Sequence, residues 1–512
     1  MRKRAIHLLS RLTFGPTPQD VERVLEIGEE DWLEQQLVSE QEENRDLSAA
    51  LSELYTLNMS TSELFASVSE GLEGKDGTVE TAKEIQRRRR LPKGHLMTAI
   101  ALQSVGSSRQ VHAVMADFFR NHFNVSFTKG GTADLLLTDY DREVVRKNAL
   151  GSFPSMLKAS AKHPAMLHYL DNHLSRRPPT KQELAEIERR ARRKTGSKQR
   201  GEEAAQIAAQ RGLNENYARE LLELHTLGVD NYYKQRDVIA VAEALTGWTF
   251  SGGREGDWGF DFRSDMHVNG DKKVLGKKIR AENGHGIQDG EAVLDILCEH
   301  KGTADFIAMK MVRYLVADQP PTSLVKAVAK NFRKTDGNIA DMVRTIVKSD
   351  EFWAEENVGT KFRTPFEFMC SALRASNAEI QDISRGMNYL KTMGQPIMHC
   401  DDPTGYYDVA EAWLDPGAMA LRWQFALDLV NTKIKGIAVP DEFYDELPPD
   451  VPRLWQHHLT KQILPSGAGK RTRNALSTIT DRYLTTEKFP DPRGLGPQLL
   501  GLLLGSPEFQ NQ

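Results

Sequence analysis

The strongest constraint on this chain is the stretch Gly212-Leu-Asn-Glu-Asn-Tyr-Ala-Arg-Glu-Leu-Leu-Glu-Leu-His-Thr-Leu-Gly228. A capping start, an unbroken helical run and a closing glycine predict one helix with defined ends. At about 100° per residue, Tyr217, Leu221, Leu224 and Leu227 fall on one arc. Asn216, Glu220 and Glu223 form a second, polar stripe beside it. Polar groups at a core boundary destabilise a fold unless they are paired. The helix therefore predicts either a site or a buried polar network.

The rest of the chain supports a mainly all-α fold. Thr17-Pro18-Gln19-Asp20 reads as a helix start, with Thr17 as N-cap and Pro18 at the first position. Residues 71–77 read as a loop, and 95–125 as one long apolar-periodic stretch that ends near Gly130-Gly131. Residues 151–171 read as a helix offset at His163-Pro164. Residues 247–286 are rich in glycine and aromatics, which predicts a long ordered loop or a small β-hairpin. The similar words Ile346-Val-Lys-Ser-Asp-Glu-Phe352 and Leu503-Leu-Gly-Ser-Pro-Glu-Phe509 hint at an internal repeat, without establishing a solenoid. The organisation expected is a single large helical body over 1–512. An exposed basic insertion at 175–211, the 247–286 insertion and a C-terminal helical part at 431–512 belong to it.

Charge gives no reason to expect nucleic acid, since 67 Lys and Arg face 71 Asp and Glu. The four-arginine run 87–90 reads as a solvated helix face. The 175–211 insertion reads as a solvated flap, or alternatively as an arm that touches an acidic partner. Cys298, Cys370 and Cys400 are far apart and form no CxxC pair, so neither a thiolate zinc site nor a disulfide framework is expected. The basic start is followed by no apolar run of signal-peptide length, which predicts a cytoplasmic location unless a leader has been removed. No stretch approaches the length of a membrane span. Dinucleotide, P-loop, HExxH and GxSxG signatures are missing.

Four places could carry chemistry. On the 212–228 helix, Glu220 reads either as a partner for Arg142 or Arg146, or as a general acid with a pKa raised by burial. His225 points away from Glu220 and Glu223, so the three cannot share one metal from this helix alone. Arg120-Asn121-His122 forms a second place, although a histidine among aromatics is commonly a core residue. The loop Asp265-Met-His267-Val-Asn-Gly-Asp271 is a third, because loop side chains are easily aimed at ligands. His399 with Asp401-Asp402, ahead of Pro403-Thr-Gly-Tyr-Tyr407, is the fourth.

Several words are highly specific: His7-Leu-Leu-Ser-Arg-Leu-Thr-Phe-Gly-Pro16, Phe119-Arg-Asn-His-Phe123, Asp141-Arg-Glu-Val-Val-Arg146 and the 213–229 stretch itself. So are Ala244-Leu-Thr-Gly-Trp248, Thr364-Pro-Phe-Glu-Phe368, Gly394-Gln-Pro396 and Glu411-Ala-Trp-Leu-Asp-Pro-Gly417. Through these the chain resembles DUF1800, a bacterial family of unknown function. The resemblance implies a largely helical body and a partnership with DUF1501 proteins, which are similar to sulfatases. Many members carry export signals. Where the family's loop word has His-Asp, this chain has His267-Val268.

The leading functional expectation is a hydrolase that acts on a glycan or similar polar polymer. Two carboxyls about 5–10 Å apart across a cleft would do the acid–base work. Glu220 is the expected acid, with Asp141 or Glu223 as partner and His267 as a further catalytic candidate. Arg142, Arg146, His122, Asn216, Trp248 and Trp258 are the candidates for holding substrate, with Phe260 and Trp413 as further stacking surfaces. One alternative is a metal-dependent or redox enzyme using His122, His225 and His267. Another is a non-enzymatic partner of a sulfatase-like protein that binds through 175–211. No cofactor is identified, and no residue is assigned to a metal.

Overall fold

The structure, a computed structural model, describes residues 1–38, 43–69, 82–210, 212–252, 256–280, 286–448, 451–487 and 491–512. The fold is mainly all-α. Among the described residues, strands occur only as three two-stranded antiparallel ladders. The loop expected at 71–77 lies outside the described residues. No described helix is long and apolar enough to cross a membrane.

Local chemistry sets the element ends. The Thr17 hydroxyl accepts from the Asp20 backbone N–H, and the Asp20 carboxylate accepts from the Thr17 N–H, each at 3.2 Å. This reciprocal cap starts the helix Pro18–Ile27. The similar words at 346–352 and 503–509 make one device twice. Ser349 accepts from the Phe352 N–H and Ser506 from the Phe509 N–H, at 3.2 and 3.3 Å.

The stretch read as one run over 95–125 is two helices, Ala82–Gly106 and Gln110–His122. The first continues through Pro92. The break between them is held from outside, where the Glu43 carboxylate accepts from the Ser107 hydroxyl and the Ser108 N–H at 2.5 and 2.8 Å.

The first helix, Arg2–Leu12, is buried from Ala5 to Leu12 and lies in the core. His7 donates to the Phe352 carbonyl and Arg11 to the Asn357 carbonyl, at 2.7 and 2.6 Å. The other end of the chain is stitched to 361–363. The Arg363 N–H donates to the Gln510 carbonyl at 2.9 Å, and the Gln512 N–H to the Lys361 carbonyl at 2.8 Å. This clasp orients the start of the next helix, Pro365–Ala375.

Residues 247–286 hold two small hairpins rather than one. Trp248–Phe250 pairs with Phe260–Phe262, and Lys272–Val274 with Lys277–Ile279. The basic insertion is a helical hairpin, Lys181–Thr195 and Lys198–Gln210, turning at Gly196 with φ +67°. None of the residues in its first helix is buried. Its base is closed where the Arg176 N–H donates to the Gly212 carbonyl at 3.2 Å.

An arm whose first helix buries no residue and whose base is closed adds little to the body's stability. Replacing 178–211 by a four-residue Gly-Ser linker is expected to shift Tm by less than about 3 °C, the scale of a change of about 1 kcal/mol in a large domain. A larger fall in a thermal melt would show that the arm braces the core.

Candidate active site

A cavity of about 160 Å³ lies between four segments. The Gln110–His122 helix contributes Asp117, Phe118, Arg120 and Asn121, and the Lys301–Leu315 helix contributes Lys310, Arg313 and Tyr314. Thr364, Phe366 and Glu367 come from the start of the Pro365–Ala375 helix. The irregular chain over 395–408 closes the fourth side with Gln395, Ile397, Tyr406 and Asp408.

Arg120 organises the first wall. Its Nε donates to the Asp141 carboxylate at 2.8 Å and its Nη1 to Asp117 at 3.3 Å. Burial nonetheless raises the Asp117 carboxyl to about 6, with Arg120 opposing that shift. Asp408, from the irregular 395–408 segment, is likewise raised to about 6 by burial, against the opposing pull of Lys361 at 2.7 Å. Two carboxyls that gain and lose a proton near pH 6 therefore share one cavity.

Lys310 reaches the cavity from the third element. Its ammonium donates to His122 Nδ1 at 3.0 Å, while His122 Nε2 meets the His225 carbonyl at 3.2 Å. A carbonyl can only accept, so Nε2 carries the imidazole proton and Nδ1 presents its lone pair to the lysine. Burial, followed by the Lys310 charge, holds the His122 pKa well below its ordinary value. Burial also lowers Lys310 to about 8.

The irregular wall is clasped by one amide. Asn121 Nδ2 donates to the Tyr406 carbonyl at 2.8 Å, and its Oδ1 accepts from the Tyr406 N–H at 2.7 Å. Gly405, at φ +77°, makes room for the clasp, since a Cβ there would lie 2.4 Å from the Asn121 carbonyl oxygen. Asn124 holds the preceding residues by donating to the Cys400 and Asp402 carbonyls at 3.1 and 2.8 Å.

A family model described as a protein of unknown function, DUF1800, matches residues 7–511. The chain belongs to the DUF1800 family. Neither a curated protein nor a solved structure matches it. Three of the words that carried the DUF1800 resemblance, at 119–123, 364–368 and 394–396, each send side chains into the cavity.

The residues singled out in the DUF1800 sequence are spread around this site. Asp141 is buried behind the cavity wall in its pair with Arg120. Arg142 is occupied by Asp139, Glu143 and the carbonyls of Leu57 and Met59. The Arg146 carbonyl accepts from His112 at 2.8 Å. Neither arginine pairs with Glu220. That carboxyl is raised to about 6 by burial, then by Glu223 and Asp402. Glu223 pairs with Arg219 at 3.4 Å, as the i, i+4 spacing implies.

Asn216 is exposed, and Trp248 is 0% exposed in the core. Trp258 is stacked on Phe65 with ring centroids 3.5 Å apart. Phe260 packs edge-on against Trp248, and Trp413 is buried with its Nε1 donating to the Tyr407 carbonyl at 2.9 Å. His267 is buried, with Nδ1 at 2.8 Å from the Thr246 carbonyl and Nε2 at 3.2 Å from Asp289. Lys272 joins the same Asp289 at 2.6 Å. His122 and His225 have ring centroids 6.3 Å apart, and His267 shares no partner with them. Among the described residues no three His, Cys, Asp or Glu side chains are grouped to hold a metal ion.

Asp117, Lys310, Arg313, Glu367, Gln395 and Asp408 were not chosen from the sequence. Lys310 had a usable signal as a cation inside the apolar run Ile307-Ala-Met-Lys-Met-Val312. Asp408 closes the turn after Pro403-Thr-Gly-Tyr-Tyr407, which had been marked one residue short.

Two outcomes are expected. Gly405→Ala would strain the clasp and cost about 1–3 kcal/mol of unfolding free energy, measured in urea. Burial lowers His225 to about 3, with Lys310 adding to the effect. Below about pH 6.5 the unfolded chain thus takes up a proton that the fold refuses. Stability is lost as pH falls from about 6.5 toward about 3, and His225 contributes about 1.4 kcal/mol per pH unit. His225→Phe is expected to flatten the pH dependence of unfolding by that slope between about pH 6 and 4.

Proposed function

We propose that this DUF1800 protein is a hydrolase whose acid–base pair is Asp117 and Asp408, acting on a ring-sized unit of a glycan or similar polar polymer. The observation that carries this reading is that two carboxyls from different segments, each raised to about 6, line one cavity. Near pH 6 one carboxyl holds a proton for the leaving oxygen while the other, ionised, takes a proton from the attacking water. The volume supports one ring, since a cavity of about 150 Å³ accommodates benzene. Phe118, Phe366 and Tyr406 offer faces for a sugar ring, and Asn121, Asn124, Gln395 and Thr404 offer partners for its hydroxyls.

Glu220 has a similarly raised carboxyl but does not line this cavity. Its charge acts on Tyr169, whose hydroxyl donates to the Asp401 carbonyl at 3.0 Å, and Asp402 acts on it in turn, so it lies near residues 401–402.

The test is hydrolysis of a panel of chromogenic glycosides and oligosaccharides. Activity is expected to follow a bell centred near pH 6. Asp117→Asn and Asp408→Asn, folded as judged by circular dichroism, should each lower kcat by about 100-fold or more. Glu220→Gln should stay within a few-fold. Loss only in Glu220→Gln would move the acid to that residue. No cleavage and no binding of any glycan in the panel would overturn the reading.

A second reading has its own support in the protruding helical hairpin. Arg189, Arg190, Arg192, Arg193 and Lys194 crowd the end of its first helix, and all five are exposed. We infer that such a tip suits an acidic protein partner, of which a DUF1501 sulfatase-like protein is one candidate. Co-purification that survives deletion of 178–211 would sink it.

A further inference from the structure

Six charged side chains line the cavity: Asp117, Arg120, Lys310, Arg313, Glu367 and Asp408. In a formal count they balance, three against three, but their partnerships do not. Asp117 has Arg120, which also serves Asp141 behind the wall. Asp408 has the buried Lys361, which also serves Asp318. Glu367 accepts from the Thr364 N–H at 2.7 Å and from Gln512 at 3.3 Å. Arg363, Arg11 and Arg422 act on it from outside the cavity. Every carboxylate on the lining is thus answered by other groups.

Lys310 and Arg313 are left over. Among the described residues neither has an ion pair. Lys310 has the neutral His122 as its hydrogen-bond partner and the Phe306 ring 5.6 Å away. Arg313 Nε is buried with no hydrogen-bond partner at all. The two are three residues apart on one helix, so they lie on the same face. Withdrawing a cation from water without pairing it is unfavourable, and burial lowers the Lys310 pKa against the pull of Asp408, which acts from beyond ion-pair distance.

We infer that the Lys310–Arg313 edge seats an anionic oxygen group of the ligand, a carboxylate, sulfate or phosphate. A guanidinium presents a planar fork to such a group and an ammonium supplies a point charge beside it. The ligand class is then a ring-sized hydroxylated molecule with one acidic substituent. The inference rests on the cavity being the ligand site, as proposed above, but not on hydrolysis taking place there.

The experiment is titration calorimetry on the full chain with D-glucuronate and D-glucose, alongside thermal shifts with inorganic sulfate and phosphate. Glucuronate is expected to bind at least tenfold more tightly than glucose. Arg313→Gln should bring glucuronate down to the affinity of glucose, and Lys310→Arg, which keeps the charge, should retain the preference. Sulfate or phosphate should raise Tm in the parent and not in Arg313→Gln. Equal affinity for the two sugars, or anion binding indifferent to Arg313→Gln, overturns the inference. If neither sugar binds but the inorganic anions still stabilise through Arg313, the glycan reading fails and this inference stands. If neither sugars nor inorganic anions have any effect, both fall.

Discussion

One guanidinium ties the site to the core. Arg120 lies 8% exposed between Asp141 on one element and Asp117 on its own helix. The pair with Asp141 fixes the Gln110–His122 helix against the segment Tyr140–Arg146, and so fixes which side chains that helix turns toward the cavity. A buried ion pair of this kind adds little net stability compared with apolar packing, yet losing one partner is costly because the other charge is stranded. Its value here is positional. The same arginine holds Asp117 by the longer of its two bonds, 3.3 Å against 2.8 Å to Asp141.

Two helices around the site widen into π-helical turns, Tyr140–Arg146 and Glu223–Leu227. Such turns are rare and concentrate at functional positions. One carries Asp141 and the other supplies the His225 carbonyl that sets the tautomer of His122. Neighbouring wide turns thus orient both the arginine and the lysine of the cavity, without either turn entering it.

Much of the fold was legible in the sequence because it depends on local chemistry. The caps at Thr17 and Gly228, the offset at His163-Pro164 and the exposed basic hairpin all follow from residues within a few positions of one another. The helical period misled only where a π turn intervenes or an outside side chain dictates a break, as Glu43 does at Ser107-Ser108. The site was far less legible. Its walls come from four segments between residues 117 and 408, and a short-range pattern cannot bring them together. The Arg120-Asn121-His122 word was marked, but its three residues do different things: one braces, one clasps the loop and one holds a lysine. Trp248 shows the converse error, because an aromatic suited to stacking sugars is equally suited to filling a core.

Three sides of the cavity are helical rods with buried backs, and rods do not yield without disturbing the core. The fourth is a run of irregular backbone, gripped at Tyr406 by the two hydrogen bonds exchanged with the Asn121 amide and at Asp408 by Lys361. The cavity thus has one wall held chiefly by hydrogen bonds from the side chains of Asn121, Asn124, Tyr169 and Lys361, so loosening it would sacrifice polar bonds rather than buried apolar packing.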